Sequence, residues 1–334
     1  MNKTRFEYLD DLKGLAILIV VASHVMTLLL PRKDANEVIL NYIGLLQMPL
    51  FVFVSGFVAS LSRKILVVQF LKKKILRLLV PFFVWSYIAV FMNDGLNIIQ
   101  IIKTPSMGLW FLWAIFFIVL VHYLLVILSE KIRIYIFILG IMCSFALFLL
   151  NYICDGLFGL KEISFYYLFY LVGWLSGNKR DKYLNKSYGN HFIMLILFLL
   201  FIVLGYFCKK QNVEFVLQKG IIGLIAYFMN SLISLSACFL FLLSSYKLEC
   251  KTYVTFLRYL GKASLGIYVV HFYVIYLFRA YWISTSYYYL DLLLYVCAVV
   301  IVSYCVVRFL MLSRITSTLL LGENNKTFIL QNKK

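Results

Sequence analysis

The sequence predicts an all-α integral membrane protein, a bundle of about ten transmembrane helices with both termini on the cytoplasmic side. Three observations predict it. Of 334 residues, 63% are hydrophobic and only 14% are charged, at a mean hydropathy of +0.93, which leaves too few polar groups to cover a soluble globule. The apolar residues gather into runs of about 20, the length that crosses a hydrocarbon core. Lysine and arginine alternate in density between successive connecting segments, as the positive-inside rule requires.

The first run, about 12–30, is long enough to span and has no small-residue cleavage pattern, so it is expected to be the first span and not a removed signal. Further runs follow at about 42–62, 75–93, 109–129, 132–151, 163–177, 191–207, 220–246, 264–281 and 287–312. The sixth is short, and only "SEKIR" divides the fourth from the fifth, so nine and eleven are the neighbouring counts. With the N-terminus inside, 22 lysines and arginines fall in inner segments and 7 in outer loops, while Arg77, Arg279 and Arg308 lie within spans. No connecting segment exceeds about 16 residues and no internal repeat is visible, so residues 1–334 are expected to form a single transmembrane domain.

The net charge of +18 would suggest nucleic acid in a soluble chain. Here the basic residues punctuate apolar runs and report topology, so the expected partner is the lipid bilayer and no nucleic acid. The 7 cysteines are odd in number and show no CxxC or metal-like spacing, so they read as small buried apolar residues and no metal site is expected.

Ionisable residues inside the spans are the candidates for chemistry, because they are costly at that depth and face cavities or partners. In "YLDDLKGLAILIVVASHV", Lys13 and His24 are 11 residues apart. That spacing returns to within about 20° of the same helix face, with His24 about 16 Å further along the axis. Asp10, three residues before Lys13, shares that face and can neutralise it. The plainer reading is a snorkelling lysine and a histidine bonded to a neighbouring helix. His271, nine residues beyond Lys262 in "LGKASLGIYVVHF", reaches a similar depth and is expected to share a cavity with His24, or else to make a polar contact between helices.

In "FLKKKILRLLVPFF", Lys73 and Arg77 are four apart on one face, and Arg77 lies a turn inside the apolar run, where a guanidinium suits phosphate. Lys72 to Lys74 also serve as a plain topology signal. Pro81 is expected to kink the helix beside a cavity. Trp110 and Trp113 in "MGLWFLWAIFF", and the rings around Trp282 and Tyr287, fit an interfacial aromatic belt, a sugar-stacking surface being the other reading.

Five stretches, "YLDDLKGLAILIVVASHV", "PLFVFVSGFV", "KKKILRLLVPFF", "LWFLWAIFF" and "GKASLGIYVVHF", occur in that order over residues 8–272. Together they resemble acyltransferase family 3, bacterial membrane proteins that O-acylate cell-surface polysaccharides and related acceptors. By that resemblance the basic-x10-His motif falls on Lys13 and His24, with Asp10 before it. Arg is the usual residue where this chain has Lys13, which removes the bidentate fork from that position. The small-residue motif on the second span falls on Ser55 and Gly56, followed by Phe57. The basic-x3-Arg pattern falls on Lys73 and Arg77, the Trp-Phe-Leu motif on Trp110, Phe111 and Leu112, and SLGIY-x2-His on Ser264 to Tyr268 and His271.

The resemblance implies a membrane O-acyltransferase, with O-acetyl transfer as the default, in a bacterial cytoplasmic membrane. No permanently bound cofactor is expected; acyl-CoA (acetyl-CoA) is the co-substrate and a surface glycan or lipid-linked sugar the acceptor. His24, with Lys13 and Asp10, would be catalytic, as base or acyl acceptor. Lys73, Arg77, Ser55 and Gly56 would bind the donor, and Trp110, Phe111, His271 and Tyr268 would line the acceptor side. A polysaccharide exporter or small-molecule transporter is the competing reading, against which stands the lack of an inverted repeat.

Overall fold

The computed structural model describes residues 6–30, 33–61, 66–92, 97–179, 191–207, 221–248, 255–281, 285 and 287–323. Among these every regular element is a helix. In chain order they are α1 (Glu7–Leu28), α2 (Lys33–Ser60), α3 (Val67–Lys74) continuing through a π-turn (Ile75–Leu79) into α4 (Val80–Met92), and the short α5 (Ile98–Lys103). Next come α6 (Trp110–Ile132), α7 (Ile136–Ile153), α8 (Leu160–Asn178) and α9 (His191–Leu199), which runs on through a second π-turn (Leu200–Leu204) and Gly205–Phe207. The chain closes with α10 (Ile221–Leu248), α11 (Thr255–Ala280), α12 (Tyr288–Leu310) and α13 (Arg314–Leu321).

Eight helices among the described residues are long and apolar enough to cross a membrane: α1, Glu37–Ser60 of α2, the continuous Val67–Phe91 helix, α6, α7, Tyr227–Leu248 of α10, α11 and α12. Two further segments expected as spans are helical but differ in character. Phe192–Phe207 is apolar but short. Helix α8 carries Lys161, Glu162 and three tyrosines, and it buries Tyr166, Tyr167 and Tyr170 against protein. Several charges behind the expected topology, among them Arg63, Lys64, Arg180 and Lys182, and also Trp282, lie outside the described residues.

A bundle in lipid has no hydrophobic drive between its helices, so close contact comes from small residues and polar bonds. The most extensive pairings are α1 with α11 and α2 with α8, and glycine makes both. A Cβ on Gly14 would sit 1.9 Å from the Leu257 carbonyl oxygen, and one on Gly261 would sit 1.8 Å from that of Asp10. The backbones of α1 and α11 therefore touch, with the chains running in the same direction. Likewise a Cβ on Gly56 would lie 2.1 Å from the Tyr170 carbonyl oxygen, and one on Gly173 2.1 Å from that of Phe53.

Helices α1 and α11 both begin earlier than their apolar runs suggest, at Glu7 and Thr255. The reason is a charge cluster between their first turns. Arg258 grips Asp11 with Nε at 3.0 Å and a terminal nitrogen at 3.1 Å, and also pairs with Glu7. Fully partnered charge continues both helices past the point where hydropathy fails. On the outside of the bundle large apolar side chains face outward: Phe145 on α7 is 63% exposed and Ile301 on α12 58%. Such a surface is stable only when lipid covers it.

Candidate active site

The glycine contact sets the register of α1 on α11. Ten residues beyond Gly14 comes His24, and ten beyond Gly261 comes His271, so parallel helices carry the two imidazoles to the same height, about 15 Å above the contact. Their ring centroids are 5.3 Å apart, and Phe272 meets His24 edge-on at 5.1 Å. His271 is buried, with Nδ1 3.1 Å from the Ile267 carbonyl oxygen. A carbonyl only accepts, so Nδ1 carries the hydrogen and Nε2 keeps its lone pair. That Nε2 is buried with no hydrogen-bond partner among the described residues. His24 is partly exposed. The pair is therefore a buried basic nitrogen beside a reachable imidazole, a suitable arrangement for taking up a proton.

Below the pair lies a cavity of about 990 Å³. Seven basic side chains line it, Lys13, Lys72, Lys73, Lys74, Arg77, Lys262 and Arg314, against two acidic ones, Asp10 and Glu323. Asp10 is buried, with its carboxylate 3.6 Å from Lys13 Nζ. Aromatic and small residues, Phe51, Ser55, Phe111 and Tyr268, also line it. Neither histidine is among its lining residues. Tyr268, which does line it, has its ring centroid 5.8 Å from that of His271. The histidines meet each other as expected, but they do not share this cavity: the cationic chamber is lined by Tyr268, and the imidazole pair lies outside its lining.

One wall of the chamber adjoins a proline. Pro81 has no N–H to give the Arg77 carbonyl four residues earlier, and its ring crowds that oxygen. The helix widens into the Ile75–Leu79 π-turn just before it. Arg77 sits in the middle of that turn and lines the chamber together with Lys73.

Tyr268 and Ser55 differ in what their hydroxyls can offer. Ser55 gives its proton to the Phe51 carbonyl on its own helix at 2.8 Å. The Tyr268 hydroxyl accepts the Phe111 N–H at 3.3 Å, one of the orphan donors at the start of α6. Its own proton has no acceptor among the described residues. Tyr268 can donate a hydrogen bond into the chamber; Ser55 can only accept. Phe111 packs edge-on against Tyr268 at 5.3 Å and tilted against Phe51 at 5.8 Å. Trp110 does not line the chamber and instead stacks on Tyr166 at 5.5 Å. Gly56 lies on the α8 contact, next to Ser55 on the chamber wall.

Residues 6–310 match the acyltransferase domain model of family 3. The chain belongs to acyltransferase family 3. No curated protein and no solved structure matches it. As a family 3 acyltransferase it is a multi-pass membrane protein whose matched region contains both histidines, the cationic chamber wall from Lys72 to Arg77, and Tyr268.

Three features of the site escaped the sequence reading. The Arg258–Asp11 pair gives the two adjacent aspartates separate tasks: Asp11 ties α1 to α11, while Asp10 faces the chamber. Nothing in "LDDLK" distinguishes them except helix geometry, since neighbours lie about 100° apart. The π-turn carries no signal beyond Pro81. The third is α13, which Ser313 and Gly322 bracket and whose place on the chamber wall comes only from tertiary structure.

Proposed function

We propose that this protein is a membrane O-acyltransferase, most simply an O-acetyltransferase, which moves an acyl group from cytoplasmic acyl-CoA to a hydroxyl of a cell-surface glycan or lipid-linked sugar. The observation that carries the reading is a cationic chamber of about 990 Å³ with Tyr268 in its lining, whose ring adjoins His271 of the imidazole pair. The bias of basic residues supports a reading in which the chamber opens to the cytoplasmic face of about ten spans, with both termini inside and the chain forming one transmembrane unit in a bacterial cytoplasmic membrane.

Lys73 and Arg77 receive the phosphates of the donor, assisted by Lys13, because guanidinium and ammonium groups form short charge-assisted bonds to phosphate. The pantetheine arm passes Ser55, Phe51 and Phe111, and the thioester carbonyl comes to rest by Tyr268. Gly56 contributes indirectly, holding α2 close to α8 so that Ser55 faces the chamber. The acceptor hydroxyl reaches His24 from the opposite side, by Trp110 and His271. His24 takes the hydroxyl proton as the oxygen attacks the carbonyl carbon. Tyr268 donates a hydrogen bond to the oxyanion. The C–S bond then breaks, and the proton held on His24 passes to the departing thiolate, giving ester and free CoA. In a two-step variant His24 itself attacks the thioester, releases CoA and hands the acyl group to the alcohol.

Two results are expected from the purified protein in detergent or nanodiscs. Arg77→Ala weakens CoA binding by about 10- to 100-fold, the loss of a charge-assisted bond, while the KM for acceptor changes far less. Comparable losses on both would overturn the division of the site into donor and acceptor ends. Tyr268→Phe keeps the ring contacts with Phe111 and lowers kcat by about 10²-fold, as for a single oxyanion donor. If kcat were unchanged while KM rose, the hydroxyl would be a binding group only.

A further inference from the structure

The match to the family ends at residue 310, yet the wall of the chamber does not. Arg314, Thr318, Gly322 and Glu323 line it too. Arg314 and Thr318 belong to α13, Gly322 caps it and Glu323 follows; the Trp85 indole anchors the helix by donating to the Leu320 carbonyl at 2.9 Å. Gly322 ends the helix in the left-handed conformation, φ 64°, and its N–H reaches the Thr318 carbonyl at 3.2 Å, while the Glu323 N–H reaches that of Ser317 at 3.0 Å. This closing turn needs a glycine for two reasons. A side chain would be strained at that φ, and a Cβ would lie 2.2 Å from the Arg77 carbonyl oxygen, the one that Pro81 leaves without its helical donor. Turned this way, the chain brings the Glu323 carboxylate to 3.8 Å from an Arg77 terminal nitrogen.

That contact is a weak one. At 3.8 Å it is an ion pair without a hydrogen bond, and the Arg77 side chain is 51% exposed, so solvent screens it. A phosphate oxygen, bidentate at short range, is the stronger partner for a guanidinium. Resting on the proposed role of Arg77 in donor binding, we infer that residues 314–323 form part of the donor site. Glu323 occupies the guanidinium until a phosphate of the donor displaces it, and Arg314 is the additional cation that meets that phosphate. The ligand class is a phosphorylated acyl carrier such as a CoA thioester. The segment sets how tightly the donor is held.

The test measures binding of unacylated CoA by calorimetry, so that no turnover is needed. Glu323→Gln is expected to tighten CoA by about two- to fivefold, the range for a screened ion pair. It should leave pantetheine, which has no phosphate, unchanged. Arg314→Gln should weaken CoA. In an Arg77→Ala background the Glu323→Gln effect should vanish, because the two residues act as one unit. Glu323→Asp, which keeps the charge, guards against a folding artefact, and its thermal midpoint should match that of the unaltered protein. CoA binding that weakens or stays constant in Glu323→Gln would overturn the exchange. If instead Arg77→Ala itself left CoA affinity intact, the donor site would lie elsewhere, a distinct failure that belongs to the underlying reading.

Discussion

His24→Ala is expected to lower acyl transfer by about 10²- to 10⁴-fold, the usual contribution of a positioned general base, while CoA binding stays near normal. The separation arises because His24 is not among the residues that line the chamber. The measurement is release of free thiol from acetyl-CoA, with and without an acceptor sugar. A base gives thiol only when acceptor is present. The acyl-histidine route gives a burst of thiol without acceptor, followed by an acylated protein visible by mass spectrometry. Full turnover by His24→Ala would remove the imidazole from the chemistry altogether. His271→Ala makes a useful partner, because it deletes the buried Nε2 beside His24 without touching the chamber.

The second large effect is structural. Gly261→Val places a branched side chain where even a Cβ would be 1.8 Å from the Asp10 carbonyl oxygen. Backbone cannot yield as a flexible side chain does, so the helices must separate or slide, at a cost of about 1–3 kcal/mol or more by analogy with overpacked cores. Thermal unfolding in detergent should fall clearly, and activity should be lost even where folded protein survives, because separating α1 from α11 also parts the imidazoles. Arg258 would then hold Asp11 across a wider gap, a further loss for a buried charge. A Gly261→Val protein with native stability and turnover would show that the backbone contact has no bearing on the site.

How much of this was legible beforehand differs between fold and site. The helices follow hydropathy closely, since a membrane helix must be apolar for its full length, and α6, α7 and α12 lie close to where the runs predict. Hydropathy misplaces the beginnings of α1 and α11, where partnered charges extend the helices, and it gives no hint that the tyrosines of α8 are covered by protein. At the site, the periodic argument brought Lys13 and Asp10 to one face, and both line the chamber. It also paired His24 with His271 in depth, and their rings lie side by side. What the sequence could not supply was the order of parts along the path. Ser55, expected with the donor, and Phe111 and Tyr268, expected on the acceptor side, line one chamber, and hydrogen bonding separates the two hydroxyls. Residues distant in the chain, such as Arg77 and Glu323, meet only through the packing of α13.

The meeting of Gly14 with Gly261 has a mechanical side. With main chain resting on main chain there is nothing compressible at that level, so it acts as a fulcrum. A change of a few degrees in the crossing of the two helices leaves the fulcrum in place but opens or closes the gap between the histidines by about 1 Å, given a lever arm of about 15 Å. Bilayer thickness acts on helix tilt. A bilayer that changed the crossing of α1 and α11 would therefore change the spacing of the imidazoles.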